Sequence, residues 1–293
     1  MAFQRLALIG CGLMGGSFAL ALRRAGLVAH VAGFSASEST RARACQLGVI
    51  DTACSSAAEA AQGADLVLVA VPVRATEATL RAIDPVLAPA ALVMDVGSTK
   101  GDVVAAARAA LQRSLANFVP AHPIAGKEVA GIEHADADLY CERQVVLTPL
   151  PENPADRVLQ AHQVWQALGS RVLELSPEQH DASFAAVSHL PHLTAFALVN
   201  AVSRQPHGAQ HLSMAGPGFR DFSRIAASDP NVWRDILLAN RDEVLHQSAL
   251  MREALQELES AMAAGDAERL QALVSEASQT RSRWRLGGAD SDV

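Results

Sequence analysis

Residues 5–17 read Arg5-Leu6-Ala7-Leu8-Ile9-Gly10-Cys11-Gly12-Leu13-Met14-Gly15-Gly16-Ser17. An apolar run of strand length leads into G-x-G-x-x-G, and a helical run from Ser17 to Ala25 follows. Each glycine has a physical task in such a turn. Gly10 permits the tight bend, Gly12 lets backbone approach a pyrophosphate, and Gly15 lets the helix close on the strand. The helix N-terminus offers its N–H groups and the positive end of its dipole to phosphate. The stretch predicts a dinucleotide site at the head of the chain, with Gly10, Gly12, Leu13, Met14 and Gly15 against the cofactor.

Working outward, further strand-like runs cover Val31–Phe34, Leu66–Val71, Leu92–Val96, Gln144–Thr148 and Arg171–Leu175. Apolar strands alternating with helices predict a parallel sheet covered on both faces. After Ser176-Pro177-Glu178 only helical patterns remain. Phe184–Val202 is interrupted by Pro191. Asn231–Met262 carries Val244, Ser248, Met251, Leu255, Leu258 and Met262 on one face, and a last helix runs from Asp266 to about Arg283. The expected fold class is α/β: an N-terminal Rossmann-type parallel-sheet domain over 1–176, then an all-α C-terminal dimerisation domain over 177–285. Residues 286–293 are expected to be a disordered tail. A single helix over 231–262 would span roughly 45 Å. Covering its apolar face predicts a homodimer packed through the helical domain.

Composition narrows the function. The chain has 293 residues and a formal net charge of −7, which argues against a nucleic-acid binder. At 4% aromatic residues it also lacks stacking platforms. No run of about 18 purely apolar residues predicts a membrane span, and Met1–Arg5 has no features of a secretory leader. Cys11, Cys45, Cys54 and Cys141 have no CxxC spacing and read as free thiols of a cytoplasmic protein. Lysine occurs only at Lys100 and Lys127, and both positions fall in the motifs below, as though arginine could not replace them.

At the end of the second strand a carboxylate would accept hydrogen bonds from an adenosine ribose. Here the run is Gly33-Phe34-Ser35-Ala36-Ser37-Glu38-Ser39-Thr40-Arg41. Ser35 replaces the acid, and Ser35 and Arg41 suit a 2′-phosphate. The expected cofactor is NADP, with NAD as the alternative. Val71, Pro72 and Ser98 complete the expected cofactor contacts.

Three segments carry further chemistry: Asp95-Val96-Gly97-Ser98-Thr99-Lys100, Ala121-His122-Pro123-Ile124-Ala125-Gly126-Lys127-Glu128, and Ser188-His189-Leu190-Pro191-His192. With Gly216–Ala226 and Asp229–Asp235, in this order, the chain resembles the prephenate/arogenate dehydrogenase family of tyrosine biosynthesis. The resemblance runs from Leu6 to about Asp242. It implies oxidative decarboxylation of prephenate or L-arogenate, with a hydride passed to NAD(P)+ and no metal. It also implies that His122 is the catalytic base and that Ser98 contacts His122, the substrate hydroxyl and the nicotinamide. Ser98 could equally cap the helix that follows. By the same resemblance His192 binds substrate, Arg224 binds a substrate carboxylate through its bidentate fork, and Glu128 gates the mouth of the site. His189 is a further substrate-side candidate. Trp233 is expected to pack near the site.

Two other functions fit a dinucleotide fold with a helical partner. A β-hydroxyacid dehydrogenase relies on a lysine in its helical part, and no lysine follows residue 176. A non-catalytic NADP-binding sensor would leave the histidine, serine and arginine constellation without a task.

Overall fold

The computed structural model describes residues 2–127 and 129–285. Glu128 and the tail over 286–293 lie outside the described residues, so the expectations placed on them find no structural counterpart. The first half contains strands β1 (Phe3–Ile9), β2 (Val28–Phe34), β3 (Thr52–Ala53), β4 (Leu66–Val69), β5 (Leu92–Asp95) and β6 (Phe118–Val119). Helices α1 (Leu13–Arg24), α2 (Glu38–Gln46), α3 (Ala57–Ala61), α4 (Thr76–Ile83) and α5 (Gly101–Ala110) connect them. All pairings are parallel, in the order β3-β2-β1-β4-β5-β6. The order reverses between β1 and β4, and the crevice at such a switch point is where open α/β sheets bind ligands.

Alternation along β1 explains why the sheet is buried on both faces. Leu6 and Leu8 enter a core with Phe18, Leu22, Tyr140 and Trp165. Ala7 and Ile9 enter a second core with Leu80, Ile83, Val104 and Phe118. In the first core Phe18, Tyr140 and Trp165 meet edge to face, with centroids 5.0–6.5 Å apart. The Tyr140 hydroxyl donates to the Met14 carbonyl at 2.6 Å, fixing the start of α1 to this core.

The runs at 144–148 and 171–175 do not extend this sheet, as their apolar character suggested. Pro120 follows β6, and the chain enters a separate sheet, β7 (Ala121–Pro123), β8 (Gln144–Leu147) and β9 (Arg171–Glu174). There β7 and β8 are antiparallel, whereas β8 and β9, bridged by α6 (Ala155–Ala167), are parallel.

The helical half consists of α7 (Pro177–Phe184), α8 (Leu190–Ser203), α9 (Gly208–Ser213), α10 (Pro217–Ser223), α11 (Pro230–Ala239), α12 (Arg241–Ala264) and α13 (Ala267–Arg283). Ser176 starts α7 with a reciprocal capping box to Gln179. Pro191 does not break the helix as expected. A π-turn over Ala185–His189 joins α7 to α8, and this wider turn makes room where the proline ring would meet the preceding carbonyls. The resulting stretch Pro177–Ser203 is long and apolar enough to cross a membrane by length and composition, and most of its apolar window is uncovered in the single chain. His180, Asp181, His189 and His192 interrupt that apolarity.

The helix expected over Asn231–Met262 is in fact two. Asn240 leaves helical geometry at φ −104°, ψ 33°. Its buried amide donates to the Asp181 carbonyl at 2.8 Å and to His189 Nδ1 at 3.1 Å. Those bonds hold the break, and α12 alone spans about 36 Å. Val244 on the predicted face is buried, while Met251, Leu255 and Met262 stay exposed.

Candidate active site

The glycine loop has the shape that its sequence suggests. Gly10 sits at φ +105°, and a Cβ there would meet the Ala70 carbonyl oxygen at 2.1 Å. At Gly15 a Cβ would meet the Gly10 oxygen, also at 2.1 Å, so α1 could not close on the turn. At Gly12 a Cβ would meet nothing within 4 Å. Open backbone at Gly12 leads into α1, whose start has no side-chain cap and no acid in its first turn. That combination fits a pyrophosphate.

A crevice of about 850 Å³ opens from this loop, lined by Gly10, Gly12, Ser35, Val71 and Pro72 among the residues expected at the cofactor. Leu13, Met14, Gly15, Arg41 and Ser98 do not line it. Arg41 donates to the Ser35 carbonyl at 2.5 Å and lies 5.8 Å from the Phe34 ring centroid, bracing the turn after β2. Ser39, Thr40, Arg43, Thr79 and Glu133 also border the crevice. Arg43 is 3.5 Å from Glu133. Arg43 rather than Arg41 faces the crevice, because residues two apart on a helix point in different directions. Cys11, buried in the loop, has its thiol pushed up to about 12 by burial, which rules it out as a thiolate nucleophile.

Beyond β5 the chain builds a second cluster. Asp95 and Lys100 are buried, with Lys100 Nζ 2.5 Å from Asp95 Oδ2 and 2.8 Å from the Ala121 carbonyl. Asp95 Oδ1 accepts the Ala121 N–H at 3.0 Å. Four side-chain and backbone groups thus place β7, and with it His122, at the C-terminal end of the main sheet. Ser98, partly buried, lies on the loop before Lys100. It does not cap α5. The α5 start is capped instead by Asp181, whose carboxylate accepts the Lys100 and Gly101 N–H groups, each at 2.8 Å.

His122 Nδ1 lies 2.8 Å from His180 Nε2, and its ring packs 4.9 Å from Phe184. His180 Nδ1 in turn lies 2.8 Å from Asp181 Oδ1. Burial, then the nearby His180, Lys100 and His189, hold the His122 imidazole well below its ordinary pKa, so it is neutral near neutral pH. Burial also lowers His180, against the pull of Asp181. Burial pushes Asp181 up, but hydrogen bonds from His180, Gly101 and Lys100 outweigh it and keep the carboxyl below its ordinary value.

His192 stacks on Trp233 with centroids 3.5 Å apart and planes 19° apart. Its Nδ1 donates to the Ser188 carbonyl at 2.9 Å, leaving Nε2 as an acceptor. His189 is buried against Asn240 and 6.1 Å from Trp233, with its pKa lowered to about 4, chiefly by burial. Arg224 is exposed and begins a short turn, Arg224–Ala227, that packs on α8. Among the described residues, no group of three or more His, Cys, Asp or Glu side chains is placed to hold a metal ion.

The sequence reading missed His180, Asp181, Phe184 and Asn240, and gave Lys100 no task. No local signal singled out His180 and Asp181, because Glu178, Gln179 and Ser183 make the same helix polar around them.

Residues 18–174 match the family model described as prephenate dehydrogenase, nucleotide-binding domain, and residues 176–276 match prephenate dehydrogenase, dimerization domain. A cyclohexadienyl dehydrogenase of Zymomonas mobilis subsp. mobilis is 35% identical over 272 residues, 92% of each chain. The crystal structure of prephenate dehydrogenase from A. aeolicus with hydroxyphenyl propionate and NAD+ superposes with a TM-score of 0.91. It shares 35% identity and covers 96% of this chain and 98% of that one. Synechocystis arogenate dehydrogenase gives 0.82 at 27% identity, covering 96% of this chain and 100% of that one. Sequence likeness and fold agree across both halves, and the chain belongs to the prephenate dehydrogenase family.

Proposed function

We propose that this chain oxidatively decarboxylates prephenate to 4-hydroxyphenylpyruvate, L-arogenate to L-tyrosine, or both. One observation carries the reading: His122, kept neutral and engaged at Nδ1, has Nε2 left for a substrate. NAD(P)+, when bound, accepts the hydride that leaves C4 of the ring. His122 takes the proton of the 4-hydroxyl at Nε2 as that hydride departs. Loss of CO2 then aromatises the ring and leaves a phenolate oxygen, to which His122 returns the proton. Ser98 hydrogen-bonds the same hydroxyl. His192 contacts the substrate, and Arg224 pairs with a substrate carboxylate. Glu128 guards the mouth of the site, and His189 orders the wall behind His192. Residues 1–176 hold the cofactor, and 177–285 complete the substrate site.

Acceptance of NADP is supported by Ser35, which puts no carboxylate at the end of β2, and by Arg43 on the crevice wall. Glu133, paired with Arg43, tempers that preference, so NAD is accepted as well. Assembly as a homodimer is supported by the uncovered apolar surface of the helical half, where Val187 is 71% exposed and Met262 58%. Steady-state rates with prephenate and L-arogenate, each with NAD+ and NADP+, test the reading. Formation of reduced nicotinamide with at least one substrate is expected; no reduction with either overturns it.

A further inference from the structure

We infer that His180 and Asp181 form a positioning relay behind His122 that fixes which ring nitrogen of His122 is bare. The inference rests on the reading of His122 as the base. The argument begins at Asp181. Its two oxygens accept the Lys100 and Gly101 N–H groups, which can only donate, and Oδ1 also lies 2.8 Å from His180 Nδ1. An ionised carboxylate only accepts, so His180 carries its proton on Nδ1. A neutral His180 then has a lone pair on Nε2, 2.8 Å from His122 Nδ1. His122 must therefore carry its proton on Nδ1 and leave Nε2 bare. A carboxylate orients an imidazole in the same way in acyl-transfer triads, here with a second imidazole interposed.

The relay also receives charge. When Nε2 of His122 takes the substrate proton, the imidazolium keeps its Nδ1–H donated to His180, and Asp181 is the anion at the far end. The other charged or titratable groups around the pair are Lys100 at the start of α5, Asp95 at the end of β5 and His189 on the π-turn. The ion pair of Lys100 with Asp95 offsets the lysine's charge, so Asp181 is the anion left to face the imidazoles. Phe184 packs on both rings, with centroids 4.9 and 4.5 Å away, and keeps the relay from rotating.

The test reads the tautomer directly and then its effect on rate. In protein labelled with ¹⁵N-histidine, with His122 assigned by the spectrum of His122→Asn, Nδ1 is expected to be protonated and Nε2 bare. His180→Phe keeps an aromatic ring against Phe184 but removes the acceptor. Its kcat is expected to fall about 10- to 100-fold, with KM for substrate and cofactor within about threefold. His180→Gln, whose amide oxygen can accept from Nδ1, is expected to recover most of that loss. A wild-type His122 protonated at Nε2 overturns the relay, and so does His180→Phe with unchanged kcat. If His180→Phe does not fold, the wild-type spectrum and the Gln variant still decide. Wild-type protein with the expected tautomer but no dehydrogenase activity would instead overturn the functional reading alone.

Discussion

Lys100 and Asp95 form a buried ion pair that also clasps both backbone groups of Ala121, the residue before His122. Truncating one partner strands a charge away from water, at a cost of about 3–5 kcal/mol. Lys100→Met is therefore expected to lose stability on that scale in urea unfolding. Pairing it with Asp95→Asn is expected to recover part of the loss. A single variant within about 1 kcal/mol of wild type would show that the pair does not hold β7.

His122→Asn is expected to lower kcat by about two to four orders of magnitude, the scale for losing a general base, with substrate KM little changed. In the wild type the depressed pKa keeps the imidazole unprotonated on the acid side. The acidic limb of kcat/KM should then fall below the ordinary histidine value of about 6.5. Turnover close to wild type in the variant removes His122 from the mechanism.

Ser35→Asp places a carboxylate on the crevice wall at the end of β2. It should shift the ratio of kcat/KM values from NADP+ towards NAD+, since the new anion accepts from a ribose and repels a 2′-phosphate. An unmoved ratio would place Ser35 away from the adenosine ribose.

The buried His189 stays neutral in the native protein down to a pKa of about 4, whereas an unfolded histidine takes its proton near 6.5. Its contribution is whole above about pH 6.5 and is lost as the pH falls towards 4, because over that window the unfolded chain binds more protons. The loss at the lower end is about 2–4 kcal/mol. Stability measured against pH should show this slope, and His189→Asn should flatten it by about one proton. Equal slopes in both proteins would show that His189 does not titrate anomalously.

Light scattering at micromolar concentration is expected to give twice the 30.8 kDa of the chain. Leu255→Glu, on the exposed face of α12, should shift the mass towards one chain by adding an unpaired charge to that surface. A wild-type mass of one chain would leave the apolar face without a partner of this kind.

The parallel sheet was legible because its central strands carry apolar runs such as Leu66–Val69 and because a glycine turn at residue 10 has few other uses. The C-terminal helical boundary was legible too: Gly265 adopts φ +65° and Asp266 caps Arg269 N, as their residue types suggest. The break at Asn240 was not, because asparagine is tolerated within helices and its two hydrogen bonds reach residues 59 and 51 positions away. Residues His122 and His192 stood out through their motifs. His180 and Asp181 did not, because their role exists only once β7 and α7 are brought together, and no local spacing encodes that meeting. The small sheet of β7, β8 and β9 was hidden by the same cause, since apolar runs do not state which neighbour they pair with.

The π-turn between α7 and α8 sets the angular phase of the helical half. His180 and His189 are nine positions apart, and at about 100° per residue an unbroken α-helix would point them in opposite directions. The wide turn absorbs one residue and takes back about 100° of that angle, so that both act on His122. Adding a single residue within 185–188, with the wide turn as it stands, would keep every chemical group and every helix, yet rotate His189 and His192 by about 100° away from the other half of the site. The spacing of the chain here behaves like a gear with a chosen number of teeth: the count itself carries information that no individual side chain holds.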